Sequence, residues 1–486
     1  MGFKTLLSRF YPSPPEKKLN IKLRFLGAAG NVTGSRHLLE FDGTKILIDC
    51  GLFQEREFQS RNWEDFGFDP SSLSAVLLTH AHLDHCGLLP KLVKEGFRGP
   101  VFCTAATGEL AQIVLLDSGK IQEEDAEFKR KRHKRAGYTP PRPVTPLYTM
   151  AEAQACFGQF KQTAFRRPIR LGPGVEATFH EAGHILGASV IKIKVCLDGH
   201  CRTILYTGDL GRANKPILRD PEAMEQADYV LVESTYGDRE HSDAEDAKRQ
   251  LAEAVNQTWN AGGNLVVPSF SIERSQEILY YMNELLMEDK IPHLTTFLDS
   301  PMAVRVIKIF EKYSDLYDQT MAKLVRNNES PFSFKGLKLV ESTRESKAIN
   351  HIKGTIMIIA GSGMCTGGRI KHHLVNNIAR PESTILFVGY QAKGTLGRRI
   401  LDGEPEVRIL GQTYPVKANV VRAHGFSSHA DRKEILDWLR NIKNRPRKIF
   451  LVHGEKGSAL NFKTYLQEQT GWDVMVPDYQ DEVVIE

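Results

Sequence analysis

Residues 79–85 read Thr-His-Ala-His-Leu-Asp-His, so three histidines and an aspartate fall within six positions. Neutral imidazole and carboxylate are the donors that borderline divalent metals such as zinc prefer. A solvated polar loop explains one such histidine well and four donors together poorly. The apolar run Ala75-Val76-Leu77-Leu78 just before them reads as a buried strand, and residues 87–94 read as a helix. The donors therefore occupy a strand-to-helix loop, where a rigid scaffold can aim them at one point.

Other strands end in the same way. The runs before His80, Asp209, Glu233 and His453 are all apolar and short, and each stops at a potential ligand or acid. In open α/β sheets, sites gather outside the carboxyl ends of strands. His184 is a further donor, set among small residues in Glu-Ala-Gly-His-Ile-Leu-Gly-Ala that let backbone approach a metal closely.

The elements that must position these residues fall into three stretches. Residues 1–20 have the Pro- and Lys-rich chemistry of a tail. From Lys22 short strands follow one another, with Asp42-Gly43 between two apolar runs as a hairpin signal. A polar, mostly helical excursion over about 105–165, interrupted near Thr139-Pro140, leads to a second group of strands. Beyond about residue 240 strand and helix alternate, which implies a parallel α/β sheet and a separate domain. Strand 448–452 then leads to His453 near the end of the chain.

The His-x-His-x-Asp-His loop, with Asp49 upstream and Ala182-Gly-His184 and Thr207-Gly-Asp209 downstream, resembles the metallo-β-lactamase fold. Glu233-Ser-Thr-Tyr-Gly, Gly425-Phe-Ser-Ser-His429-Ala-Asp and Val452-His453-Gly-Glu resemble the three further motifs of the β-CASP nucleases. The resemblance implies an α/β four-layer αβ/βα sandwich interrupted by a parallel α/β β-CASP insert. The expected divisions are a tail (1–20), a first metallo-β-lactamase part (21–237), the β-CASP insert (238–424) and a closing part (425–486). It implies two Zn2+ per chain, one held by His80, His82 and His184 and the other by Asp84, His85 and His453, with Asp209 bridging. Asp49 is expected to orient a ligand histidine; a turn residue at a strand end is the plainer alternative.

Glu233 and His429 have no metal role in that scheme. A cationic His429 held by Glu233 could stabilise a phosphorane-like transition state or protonate a leaving oxygen; a helix-entry role is the alternative. Asp84, Asp209, Glu233 and His429 are thus the expected catalytic set. The reaction implied is hydrolysis of RNA, expected single-stranded, by metal-bound hydroxide, endonucleolytic in preference to exonucleolytic. The rival readings are a small-molecule hydrolase on the same scaffold and a non-catalytic RNA-binding protein. The first leaves the long insert and the Glu233/His429 pair unexplained; against the second, every expected ligand is present.

Candidates for RNA contact lie in the insert. Ser269 and Arg274 stand near a helix start, Gly363 and Arg369 in the Gly-rich stretch 361–369, and Lys393 and Arg398 in another Gly-rich turn. The last of these turns is equally readable as structural. His372-His373 reads as helix surface or interdomain contact rather than a third metal site, and Cys86 as packing. Lys129 to Arg135 is a dense basic run, either a phosphate contact or a solvated helix end.

Composition narrows the rest. At 486 residues two or three domains are expected. A net charge of +5 is too mild to argue for nucleic acid by itself. No apolar run reaches the roughly 20 residues of a membrane span, and the N-terminal residues lack signal-peptide patterning. Seven cysteines without a paired Cys-x-x-Cys argue against a disulfide framework and for a cytoplasmic protein. With about 20 residues before the first strand, the chain is expected to match the compact bacterial form of the family. A homodimer is compatible with these features.

Overall fold

A computed structural model describes residues 19–140, 143–241, 244–392 and 394–486. Most of the expected tail, Pro141-Arg142 and Lys393 lie outside them.

The chain opens with β1 (Ile21–Phe25), β2 (His37–Phe41) and β3 (Thr44–Ile48), paired antiparallel in succession. Asp42 and Gly43 both take positive φ (43° and 78°), the twist that a two-residue hairpin between right-handed strands requires. β4 (Ala75–Leu77), β5 (Val101–Thr104) and β6 (Phe160–Thr163) extend the sheet in parallel. β6 corrects the helical reading of this stretch: its Phe-Lys-Gln-Thr is an edge strand that packs only Phe160 against the core and leaves Lys161 and Gln162 exposed. Between β5 and β6 runs a 31-residue helix, Ala105–Arg135.

The second sheet contains β7 (Ile169–Gly172), β8 (Val175–Glu181), β9 (Ser189–Leu197), β10 (His200–Tyr206) and β11 (Tyr229–Glu233). Cys196 and Cys201 face each other in the β9–β10 register and form a disulfide. That corrects the expectation of a chain without one. Five residues apart, the two look unrelated in sequence until the hairpin register sets them opposite. The other five cysteines are free and buried, Cys86 among them.

The insert builds a third sheet from β12 (Leu265–Pro268), β13 (Thr295–Asp299), β14 (Leu337–Leu339), β15 (Ile356–Ala360) and β16 (Thr384–Phe387). After the ribbon β17 (Glu406–Ile409) and β18 (Gln412–Pro415), β19 (Asn419–Arg422) completes it. Every pairing in this six-stranded sheet is parallel, in the order β14-β13-β15-β12-β16-β19. The chain then returns. β20 (Lys448–Val452) pairs parallel with β11, β21 (Val474–Met475) lies outside β20, and β22 (Glu482–Ile485) closes the first sheet beside β1.

Among the described residues, two seven-stranded sheets therefore face each other, sharing a core of Phe25, Ile48, Leu77, Phe179, Ile193, Leu231 and Phe450. Burying that face is the main force holding them together, at about 25 cal/mol per Å² of apolar surface. The predicted sandwich with a parallel α/β insert is the observed architecture. The helix expected over 87–94 is in fact two, Leu83–Cys86 and Leu89–Lys94, so Asp84 and His85 sit inside a helical turn.

Candidate metal centre and active site

The loop after β4 is set from below by Asp49, at the end of β3. Its carboxylate accepts from the Thr79 backbone N–H (2.8 Å), the Thr79 hydroxyl, the His85 Nδ1–H (2.7 Å) and the Tyr206 hydroxyl (3.2 Å). With its proton given to Asp49, the Thr79 hydroxyl accepts from His80 Nδ1–H at 3.0 Å. Gly51 lets the Asp49 loop close on this turn, since a Cβ there would lie 1.6 Å from the Asp84 carbonyl oxygen. Thr79 and Tyr206 were not singled out from sequence, although Thr79 lies inside the motif.

The same logic fixes the other rings. His184 Nδ1–H donates to the Ser428 carbonyl (3.3 Å). The Thr235 hydroxyl donates to the His453 carbonyl and so accepts from His453 Nδ1–H at 3.1 Å. His80, His85, His184 and His453 thus all turn Nε2, and His82 turns Nδ1, toward the carboxylate of Asp209 or the ring beside it. Such outer partners fix ring orientation and tautomer in metal sites. Asp49 and His453 both adopt positive φ (58° and 50°) at strand ends, a strain of about 1–3 kcal/mol each that the surrounding contacts must hold.

The donor atoms form two facing groups. His80 Nε2, His82 Nδ1, His184 Nε2 and Asp209 Oδ2 make one, with separations of 3.1 Å (80–82), 3.4 Å (82–184), 3.3 Å (80–209) and 3.4 Å (184–209). Asp84 Oδ2, His85 Nε2, His453 Nε2 and Asp209 Oδ1 make the other, at 3.1 Å (85–453), 3.4 Å (84–453), 3.2 Å (85–209) and 3.5 Å (453–209). A tetrahedron with metal–nitrogen bonds of about 2.0–2.1 Å has edges of roughly 3.3–3.4 Å. The separations given for both groups are of that size: His80, His82, His184 and Asp209 close into one cluster, and Asp84, His85 and His453 form a triad that Asp209 Oδ1 meets through His85 and His453. Lone pairs facing at these distances repel unless a cation lies between them, so the donor set fits two divalent ions.

Electrostatics agree. Burial first, then His80, holds His82 at about 3; burial and then His85 lower His80, and burial and then His429 lower His184 well below the usual range. These three are neutral, as ligation requires. At His85, burial is opposed and outweighed by Asp209 and Asp49, which push it well up; His453 also rises, against burial, mainly through Asp209. The carboxylates here thus call for positive charge.

Beside the quartets, Glu233 is fully buried at the end of β11. Its Oε1 accepts from Leu210 N–H (2.6 Å), and its Oε2 accepts from His429 Nδ1–H (3.0 Å). Burial works against a charged His429, but Glu233 and then Asp209 push it up to about 9. Its ring stands 4.5 Å from that of His184.

The expected RNA contacts are arranged differently from one another. Ser269 is buried, its hydroxyl on the Phe270 carbonyl, and Gly363 lies under the Phe270 ring. Arg398 is exposed and paired with Asp402. Arg369 reaches Asp299 (2.6 Å) and the Glu341 carbonyl inside the insert. Arg274 is buried, bound to Glu277 at 2.6 Å and to the Ser428 hydroxyl at 3.3 Å, which corrects the picture of a free guanidinium in a groove. Glu277 also pairs with Lys215, and Lys215 donates to the Gly425 carbonyl, so this cluster fastens the insert to the His429 loop. His373 is buried on Asp299 (2.6 Å), which corrects its reading as helix surface or domain contact; His372 is exposed. The run Lys129–Arg135 forms the exposed last turns of Ala105–Arg135, where cations complement the helix dipole.

Comparison with known proteins follows the same order along the chain. A metallo-beta-lactamase superfamily domain matches residues 38–233, a Beta-Casp domain 275–400, and a Zn-dependent metallo-hydrolase RNA specificity domain 413–477. Ribonuclease TTHA0252 of Thermus thermophilus is 40% identical over 434 residues, 89% of this chain and 93% of that one. The chain belongs to the β-CASP metallo-β-lactamase nucleases. Another member of similar sequence, transcription termination factor FttA of Methanocaldococcus jannaschii, is 30% identical over 455 residues, 91% of this chain and 68% of the relative. A crystal structure of a protein of unknown function from Enterococcus faecalis V583 shares the fold, with a TM-score of 0.54, 13% identity and coverage of 96% of this chain and 100% of that one. No helix among the described residues is long and apolar enough to cross a membrane.

Proposed function

We propose that this chain is a ribonuclease with two zinc ions, which cuts single-stranded RNA internally to leave 5′-phosphate and 3′-hydroxyl ends. The observation that carries the reading is the His80/His82/His184/Asp209 cluster beside the Asp84/His85/His453 triad, with the second Asp209 oxygen turned to His85 and His453 and the Glu233–His429 pair alongside. On this reading His80, His82, His184 and Asp209 hold one ion, and Asp84, His85, His453 and Asp209 the other. The imidazole-rich donor sets favour zinc. Bound there, the ions supply an activated water and neutralise charge on the phosphoryl oxygens.

The chain's own residues do the remaining work. Asp49, through Thr79 and His85, and the Ser428 carbonyl, through His184, hold the ligand rings in the tautomer that presents a lone pair. His429 gives its Nδ1–H to Glu233, so the proton on Nε2 is the one available to the departing 3′ oxygen. Residues 238–424 are assigned to the unit that closes over the nucleic acid. The names of the two relatives, a ribonuclease and a transcription termination factor, and the RNA-specificity description of the 413–477 match support RNA as the substrate.

The test is incubation of the full chain with a circular RNA and with the same RNA linear and end-labelled, with and without chelator. Internal cutting opens the circle, and chelator stops it. A circle left intact while the linear RNA is shortened from an end would replace the endonuclease with an exonuclease. Cleavage undiminished by chelator would remove the metals from the reaction.

A further inference from the structure

Two aromatic side chains of the insert are exposed at the carboxyl edge of its sheet. Phe270 and Tyr390, 40% and 42% exposed, follow the carboxyl ends of β12 and β16, which are neighbours in the parallel sheet. The carboxyl edge is where open α/β sheets bind ligands. Phe270 is seated rather than loose. A Cβ on Gly363 would come within 2.8 Å of its ring, and one on Gly389 within 3.6 Å, so two glycine backbones lie against the Cδ2–Cε2 edge of the ring. Gly389 is also the residue before Tyr390, which ties the two aromatics to one loop.

Both positions are joined to the active site. The Tyr390 hydroxyl donates to Glu455 Oε1 (3.1 Å), two residues beyond His453. Phe270 opens the turn that leads into Arg274, whose guanidinium holds Ser428 beside His429. Across the gap, half-buried Tyr236 follows β11 and Glu233, with its ring 6.1 Å from that of His429. Cations are interleaved with these rings. Arg239 lies 5.8 Å from the Tyr236 ring centroid, and both Arg239 and Arg398 are close enough to Tyr390 to feel its hydroxyl. The Tyr236 ring packs against that of His241 at 4.4 Å, whereas Phe270 and Tyr390 are exposed; exposed rings interleaved with arginines are what sequence-tolerant single-strand binding uses, bases stacking while phosphates meet charge.

Resting on the ribonuclease reading above, we infer that Tyr236, Tyr390 and Phe270 form a stacking track for successive unpaired bases next to the scissile phosphate. The track reads no base edges; it requires that bases be free of a complementary strand. Duplex RNA, whose bases are already stacked and paired, cannot occupy it.

The experiment uses the full, metal-loaded chain with an unstructured RNA oligomer carrying 2-aminopurine, and with the same oligomer annealed to its complement. Wild-type protein is expected to quench the probe in the single strand and to prefer the single strand over the duplex. Phe270→Ala and Tyr390→Ala are each expected to raise KM for the single strand by about tenfold, with the loss falling on KM rather than kcat, and to restore probe fluorescence. Tyr390→Phe, which keeps the ring and loses the Glu455 bond, is expected to retain the quenching. Phe270→Leu, which keeps apolar contact with Gly363 without a π face, is expected to behave like alanine. Alanine variants with wild-type KM and quenching, or a leucine variant that quenches fully, would overturn the track while leaving the ribonuclease intact. A wild-type chain that neither binds nor cuts the oligomer would overturn the ribonuclease reading itself.

Discussion

His429 and Glu273 show how far a single residue can be read. His429 was legible as chemistry because its motif ends in a histidine with no metal left to hold. Its pairing with Glu233, 196 positions earlier, was expected from the motifs, and the structure gives its geometry, Nδ1–H to Oε2 at 3.0 Å, where the end of β11 meets the 425–429 loop. Since its ring faces the quartets without belonging to either, His429→Gln is expected to retain both metals by elemental analysis and to lose turnover by about 10²–10⁴-fold. Loss of metal in that variant would make His429 a ligand instead. Glu273 was not legible at all. It starts the helix Arg274–Met287 at φ 63°, is buried, and has an Oε2 without a hydrogen-bond partner. Burial, then Glu277, raises its carboxyl to about 8. The folded state therefore binds this proton more tightly than the unfolded chain, and stability falls as pH rises from the unfolded value near 4.3 through about 8. Glu273→Gln keeps the neutral shape, so its Tm advantage over the wild type should be small at pH 5 and should grow toward pH 8.5. An advantage independent of pH would mean that Glu273 is ionised in the folded protein.

At the scale of elements, the helix Arg274–Met287 shows what sequence can and cannot settle. The sequence placed Ser269 and Arg274 near a helix start, and the helix does begin at Arg274. Whether that arginine faces a groove or a seam depends on what the second domain brings against it, which no local pattern encodes. In the fold it meets Glu277 and Ser428, with Lys215 completing the cluster. Removing one member leaves the other charges buried and unpaired, which costs about 3–5 kcal/mol. Arg274→Ala is thus expected to lower the denaturation midpoint and to slow turnover by loosening Ser428, while the dependence of RNA affinity on salt stays as in the wild type. Arg274→Lys should recover part of the stability only, because one ammonium cannot reproduce both contacts. A flatter salt slope in Arg274→Ala would return the guanidinium to a phosphate. The β9–β10 disulfide and edge strand β6 belong to the same class of feature. Register and edge position decided them, and neither leaves a periodic trace in the sequence.

For the whole molecule, the candidate metal centre is also the place where the two seven-stranded sheets are tied at their ends. His80, His82, Asp84 and His85 follow β4 in the first sheet, whereas His184, Asp209 and His453 come from the second. The order of motifs along the chain made this connectivity legible, including the chain's return to the first domain after the insert; that β20 pairs with β11 there is a finding of the fold. The resemblance implied a bridging Asp209; which oxygen faces which group, Oδ2 to His80 and His184 and Oδ1 to His85 and His453, came from the fold. Ions bound across the seam, as proposed above, would stabilise the folded state by mass action, about 4 kcal/mol per site at a thousandfold excess over the dissociation constant. Without them Asp84 and Asp209 have only histidines as partners. Chelation is therefore expected to lower the Tm of the wild type, and added zinc to restore it in proportion to the logarithm of its concentration. Asp209→Asn, which weakens both quartets at once, should begin near the chelated Tm and respond little to either treatment. His82→Ala touches one quartet and should retain about half of the chelator-induced shift. If Asp209→Asn and His82→Ala gave the same residual shift, the two quartets would not share the carboxylate, and the bridging role would pass to another residue.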